Sequence, residues 1–301
     1  MQKKNFFANF IAVLLALASA FLFGAATPAS KALLSSVQPL QLAGLIGLGS
    51  VLVALPLTLL TDRVVPPWRL AAEDRWRLFA SLGLGGTLGP VLLLAGLHLA
   101  SAGSVSMWLN LELIFTAILA ATFFGERLGW LGWVAVGGAM VAACLLSLGE
   151  GLAGWAAGAL VAGACFCWGV DNNCTATIKS IGAPQIVLWK GLVSGIVNTS
   201  LAFVCRDYVL EVHSIGFGLL VGMVSYGASI MLYIIAAHSL GTVRTQTLFS
   251  TAPFWGLALA YLFLQETVSG IQLFAAASLI ASLALLAFDK KKKTTPALSA
   301  G

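Results

Sequence analysis

Cys165-Phe166-Cys167-Trp168-Gly169-Val170-Asp171-Asn172-Asn173-Cys174-Thr175 begins as an apolar segment, then sets a glycine, an aspartate and two asparagines within five consecutive positions. The chain runs on through Ala176-Thr177-Ile178 without a turn signal. In lipid every unpaired polar group is costly. A carboxylate at membrane depth is rare and marks a functional site by default. The alternative reading puts Asp171 at the wet end of its helix. Which one holds depends on the rest of the chain.

Of the 301 residues, 59% are hydrophobic and 9% are charged, where a soluble domain carries about 25% charged residues. The mean hydropathy of +0.97 agrees. The apolar runs are long and unalternating, which argues for membrane helices and against a barrel. The five cysteines lie in or beside apolar runs and read as small apolar residues. Cys165 and Cys167, two apart on a helix, point to different sides and make a poor metal pair. A formal charge of +5 is too small and too scattered to suggest a nucleic-acid surface.

Ten spans of near-bilayer length follow one another. The first covers Phe10 to Leu34, and Pro28 should kink it. The run to Phe23 resembles a signal peptide but continues past Gly24, so it reads as a span. The others run at about Leu40–Leu60, Leu78–Leu97, Ser104–Phe124, Leu128–Leu148, Ala153–Thr177, Pro184–Val204, Ile215–Ala237, Val243–Leu264 and Val268–Phe288. Between the second and third, a polar stretch from Asp62 to Arg77 is expected along the interface, with Trp68 and Trp76 as anchors. The expected organisation is a tail at 1–9, a first half at 10–148, a second at 152–288, and a basic tail at 289–301.

The positive-inside rule sets the expected orientation. With the N-terminus cytoplasmic, the inner side collects Lys3, Lys4, Arg63, Arg69, Arg75, Arg77, Arg127, Lys179, Arg244 and Lys290 to Lys293. The outer side collects Lys31 and Arg206. A multi-pass protein of the cell membrane with both termini cytoplasmic is expected.

The halves echo each other. Phe21-Leu22-Phe23-Gly24 aligns with Phe166-Cys167-Trp168-Gly169, and Thr122-Phe123-Phe124-Gly125-Glu126 aligns with Leu262-Phe263-Leu264-Gln265-Glu266. An odd number of spans per half inverts the second half. Inverted repeats are a recurring transporter architecture, with the substrate site at the midplane beside interrupted helices. The interruptions expected here are the Gly24–Pro28 region and the Gly169–Asn173 region.

This pattern resembles the drug/metabolite transporter superfamily, in its EamA branch. The resemblance rests on the five-plus-five repeat, on Gly125-Glu126-Arg127-Leu128 after the fourth span, and on Pro253, Phe254 and Glu266 in the ninth. It implies an all-α membrane protein of ten helices, an exporter or exchanger of small metabolites, often amino acids, with a cavity lined by helices 1, 3, 4, 6, 8 and 9. The position aligned with Pro253 is Leu113, with Glu112 just before it.

Candidate site residues follow from polarity at depth. Glu112 is the deepest carboxylate. It reads as a proton or cation site, as an anchor for a substrate amine, or as a protonated side chain bonded to a neighbouring helix. Asn110, two residues away, faces elsewhere. Asp171 and Lys190 stand at similar distances from the turn between helices 6 and 7 and are expected to face each other. The pair reads either as a structural salt bridge or as one that opens during transport. Asn172 accompanies them. Arg244 and Gln246 open helix 9, where Arg244 either snorkels to the surface or binds a substrate carboxylate. Lys31 is expected to snorkel outward. Among the intramembrane aromatics Trp108, Trp168, Tyr226, Tyr233 and Trp255, Trp168 is the best candidate to stack on substrate. No phosphate-cradling loop, metal-ligand spacing or catalytic cluster appears, so the expectation is a transporter without cofactor or metal and not an enzyme. Its partners would be a small-molecule substrate, the lipid bilayer and protons. A monomer and a homodimer are both open, and an uncoupled channel-like facilitator or solute receptor is the alternative function.

Overall fold

A computed structural model describes residues 2–61, 63–123, 129–240, 245 and 248–288. Gly125 to Leu128, Arg244, Gln246 and the basic tail lie outside these residues. Ten apolar helices order the chain: α1 (Phe10–Leu33), α2 (Pro39–Thr61), α3 (Ala72–Leu99), α4 (Ala102–Phe123), α5 (Trp130–Gly149), α6 (Gly151–Thr177), α7 (Ala183–Val204), α8 (Val212–Ala236), α9 (Ala252–Leu264) and α10 (Gly270–Leu285). The first eight are long and apolar enough to cross a membrane. The last two are shorter.

Helix contacts carry a two-fold exchange of the halves. α2 packs on α7, α5 on α10 and α4 on α9; α3 lies on α6 as α8 lies on α1, and α7 lies on α3 as α2 lies on α8. The α2–α7 crossing sits on the exchange axis. A Cβ on Gly47 would come within 3.0 Å of the Gly191 carbonyl oxygen, and one on Gly191 within 2.8 Å of the Gly47 oxygen. Only glycine allows backbones to approach this closely. Five spans per half then run the second repeat in the opposite direction, giving two inverted five-helix repeats.

Four places depart from regular α geometry in matching pairs. In α3, Ser81–Leu88 winds as a π-helix, and in α8 Gly222–Ala228 does the same. In α4 the helix Ala102–Trp108 stops and Leu111–Phe123 begins. The Asn110 amide N–H and its side-chain Nδ2 both donate to the Met107 carbonyl, at 3.2 and 3.0 Å. A side chain that offers the backbone such a local bond competes with the helical ladder. Ahead of α9, the Thr251 N–H and Oγ1 both donate to the Leu248 carbonyl, at 3.2 and 2.7 Å. The two breaks are the same turn, built once on asparagine and once on threonine.

Several expectations need correction. The first helix begins at Gln2, ahead of the span that starts at Phe10. The polar stretch before α3 is half helical: Pro67–Arg69 forms a single 3-10 turn, and from Ala72 the chain is already α3. Trp68 and Trp76 are both exposed there. α1 is interrupted at Ala25, because Pro28 has no N–H to give Gly24. α6, however, is continuous through Asp171, Asn172 and Asn173; the interruption expected there occurs in α4. Finally, the matched turns pair Pro253 with Glu112, not with Leu113, because the hydrogen-bond pattern sits one residue away from the alignment drawn on helix ends.

Candidate transport site between the repeats

Glu112 lies in the first turn after the break of α4. Leu111 and Ile114 are buried, while Glu112, like Leu113, Phe115 and Thr116, keeps partial exposure. Its Oε1 accepts a bond from Asn172 Nδ2 at 2.8 Å, and the same amide reaches Thr116 Oγ1 at 3.2 Å. Thr116 is one turn along α4 and donates to the Glu112 carbonyl at 2.8 Å. Asn173 Nδ2 bonds the Thr116 carbonyl at 3.2 Å and the Gly169 carbonyl at 2.8 Å. The polar face of α6 therefore holds the lower half of α4 from the other repeat.

One residue back on α6, Asp171 faces α7 and α3. Lys190 Nζ lies 2.5 Å from Asp171 Oδ2, and Ser81 Oγ donates to Oδ1 at 2.5 Å. Asp171 is buried. The expected proximity of Asp171 and Lys190 is thus observed, and the serine from the π-segment of α3 completes the carboxylate's bonding. The wide π turn also leaves the Gly85 carbonyl free for a neighbour, and Trp168 Nε1 donates to it at 3.0 Å. Trp168 is accordingly buried and packed on α3 instead of standing open to a solute. Asn110 is buried too, its amide spent on its own helix.

Four rings join α1, α8 and the start of the ninth span. Phe23 of α1 packs on Tyr226 of α8 (centroids 5.5 Å apart) and on Phe249 ahead of α9 (5.2 Å), and Phe249 packs on Tyr233 of α8 (5.3 Å). All four keep partial exposure. α8 packs closely on α1 and α2. The polar cluster joins α4 to α6 of the opposite repeat, and the ring cluster joins α1 to α8 and the start of the ninth span. The other aromatics lie elsewhere: Trp108 is buried with Nε1 on the Ala143 carbonyl at 3.1 Å, and Trp255 is 40% exposed beside Phe21.

The opposite end of α4 is clamped. Glu266, from the connection between α9 and α10, accepts from the amides of Ala102 (2.8 Å) and Gly103 (2.9 Å). Glu150 accepts from Ser101 Oγ and, at 3.3 Å, from the Ser101 amide. Carboxylates are favoured at such helix starts. Lys31 does not snorkel free. Its Nζ donates to the carbonyls of Leu97 and Ala100, both at 2.8 Å, at the end of α3.

Thr116, Asn173, Ser81, Phe23 and Phe249 were not among the candidate site residues read from sequence. The i, i+4 spacing of Glu112 and Thr116 could have placed them on one face. Nothing local ties Ser81 to Asp171. Among the described residues no group of three or more His, Cys, Asp or Glu side chains is arranged to hold a metal.

The EamA-like transporter family matches residues 10–148 and 155–288, the two repeats in turn. The chain belongs to the EamA-like transporter family. It is accordingly a multi-pass membrane protein of a transporter family, not of an enzyme family. No curated protein matches the chain. A solved crystal structure of a protein shares 17% identity at a TM-score of 0.61, over 91% of this chain and 95% of that one. At that identity the likeness shows the fold alone.

Proposed function

We propose that this EamA-family member is a secondary transporter, an exporter or exchanger of a small metabolite such as an amino acid. It works by alternating access around a midplane site, with transport coupled to protons through Glu112. The observation that carries the reading is Glu112 at the break of α4, partly exposed and bonded to Asn172 of the opposite repeat. A carboxyl at that depth is costly when ionised and cheap when protonated, so changing access to water changes its proton. Asn172, Asp171 and Lys190 form the polar wall beside it, and Arg244 and Gln246, outside the described residues, are proposed to complete substrate contact. The charge distribution supports cytoplasmic termini. Reporter fusions at residue 301 and near Arg69 should read inside, and one near Arg206 outside.

Glu112→Gln keeps size and most hydrogen bonds and fixes the neutral form. In proteoliposomes the variant should fold and exchange substrate, and accumulation driven by an imposed pH gradient should disappear. Undiminished accumulation in the variant removes Glu112 from coupling. Flux that never saturates, in either protein, makes this a channel-like facilitator.

A further inference from the structure

At the surface where α2 and α6 end and α3 and α7 begin, two connections are fixed in place. The chain after α2 is pinned to α7. Buried Gln185 accepts from the Val65 amide at 3.0 Å and donates to the Arg63 carbonyl at 2.7 Å, and Trp189 Nε1 donates to the Val65 carbonyl at 3.2 Å. The turn between α6 and α7 is pinned to α3, where Asp74 Oδ2 accepts from the amides of Lys179 and Ser180 at 3.3 and 3.1 Å. Leu78, Ile178 and Ile181 belong to one buried apolar cluster that joins the two connections, with Val65 packed against it. Between them lies a cavity of about 420 Å³, lined by Arg63, Val65, Lys179, Ile181 and Gln185 among others. The bonds that fix the loops use the main chain of Arg63 and Lys179 and leave both cationic side chains over. Both residues are exposed. Among the described residues neither has a carboxylate partner: the ion pairs are Arg77 with Glu73 and Asp74, and Lys190 with Asp171. Asp74 is itself spent on the two amides and on Arg77, 3.6 Å away.

We propose that this cavity binds the phosphate of an anionic phospholipid headgroup, in the leaflet that meets these loops. The guanidinium fork of Arg63 suits two phosphate oxygens at once, and Lys179 adds a second positive charge. Basic pockets between membrane helices are suited to such headgroups. The depth is right for lipid: Trp68 and Trp76, on the same connection and the start of α3, are exposed, and tryptophan rings settle at headgroup level. A free phosphate has the same chemistry, but a lipid phosphate is held beside the cavity by its bilayer and so arrives at a high effective concentration. A zwitterionic headgroup would bring its own ammonium to a pocket that is already cationic. The α2–α3 connection belongs to the first repeat and the α6–α7 turn to the second, so a bound headgroup would tie the repeats together at this surface, whatever solute the protein carries.

The test uses the purified full-length protein in a non-ionic detergent, with dioleoylphosphatidylglycerol, dioleoylphosphatidylcholine and inorganic phosphate as probes. Binding is followed by native mass spectrometry and by the shift of thermal unfolding. Phosphatidylglycerol should bind at least roughly tenfold more tightly than phosphatidylcholine. Arg63→Gln and Lys179→Gln should each weaken phosphatidylglycerol roughly fivefold, and the double variant more. Gln185 and Asp74 hold only main-chain atoms of these residues, so the loops keep their anchors in both variants. Any basic surface attracts anionic lipid, and the control is therefore Arg69→Gln with Arg75→Gln. These two arginines are exposed near the same surface but do not line the cavity, and their loss should leave the preference nearly unchanged. An equal loss in the control overturns the site, as does equal binding of the two lipids or a preference that survives the double cavity variant. Weak competition by inorganic phosphate against bound phosphatidylglycerol agrees with the shared chemistry. Inorganic phosphate that stabilises the protein through Arg63 and Lys179 when phosphatidylglycerol does not makes the occupant a soluble phosphate and overturns the lipid assignment.

Discussion

The crossing of α3 with α6 and α7 and the crossing of α8 with α1 and α2 are related by the exchange of repeats, and each contains a π-segment. They differ in chemistry. The first holds Asp171, Lys190 and Ser81. The second is held by two serines that bond reciprocally, Ser19 Oγ to the Ser229 carbonyl at 2.7 Å and Ser229 Oγ to the Ser19 carbonyl at 2.9 Å. The same backbone arrangement therefore forms with neutral groups alone, and charge is not a requirement of the crossing. The break of α4 and the turn ahead of α9 repeat the lesson. One carries Glu112 where the other carries Pro253, and only the proline is explained by backbone geometry.

The comparison can be broken most easily at Lys190. Lys190→Met leaves Asp171 buried with only Ser81 for a partner, and stability should fall by about 3–5 kcal/mol, read by thermal or denaturant unfolding of the purified protein. Adding Asp171→Asn should recover part of the loss, because paired residues are not additive. Strictly additive losses mean that the two side chains do not interact. Gly85 gives a second, smaller effect. A Cβ there would overlap the Asp171 side chain, whereas one on Gly83 meets nothing within 4 Å. Gly85→Ala should cost about 1–3 kcal/mol, while Gly83→Ala should be neutral or gain up to about 1 kcal/mol. Equal melting temperatures for the two variants would show that the α3–α6 contact yields freely. The smallest effect belongs to the serine crossing. Ser19→Ala should lose about 0.5–1.5 kcal/mol, the net worth of an ordinary hydrogen bond; a loss as large as that of Lys190→Met would end the contrast between the two crossings.

Much of the fold was legible in the sequence because hydropathy writes span length directly, and ten apolar runs met ten helices. The Asp171–Lys190 approach was legible because a single short turn joins their helices, which makes depth countable from that turn. The broken helix was assigned to the wrong place for a physical reason. Gly169 and the polar run after it look like a breaker, but Asn172 and Asn173 turn their amides to Glu112 and Thr116 of α4, and α6 runs on unbroken. Asn110 looked incidental, and its side chain instead opens α4. Trp168 drew attention by its neighbours, although the acceptor that buries it is created by a π turn 83 residues away in sequence, which no local pattern announces. The ring cluster was half visible as Tyr226 and Tyr233. Phe23 and Phe249 join it only through the packing of α1, α8 and the ninth span.

The clamp on α4 can also be expressed as a population. Glu266 comes from the second repeat and binds two backbone amides of the first. Hydrogen bonds to a charged group contribute a net of about 1.5–3 kcal/mol each after exchange with water, so losing both at this end costs on the order of 3–6 kcal/mol, a factor of roughly 100 to 20,000. In the proposed alternating-access cycle, the fraction of time this end spends open would be set by how well water substitutes for one glutamate at two amides.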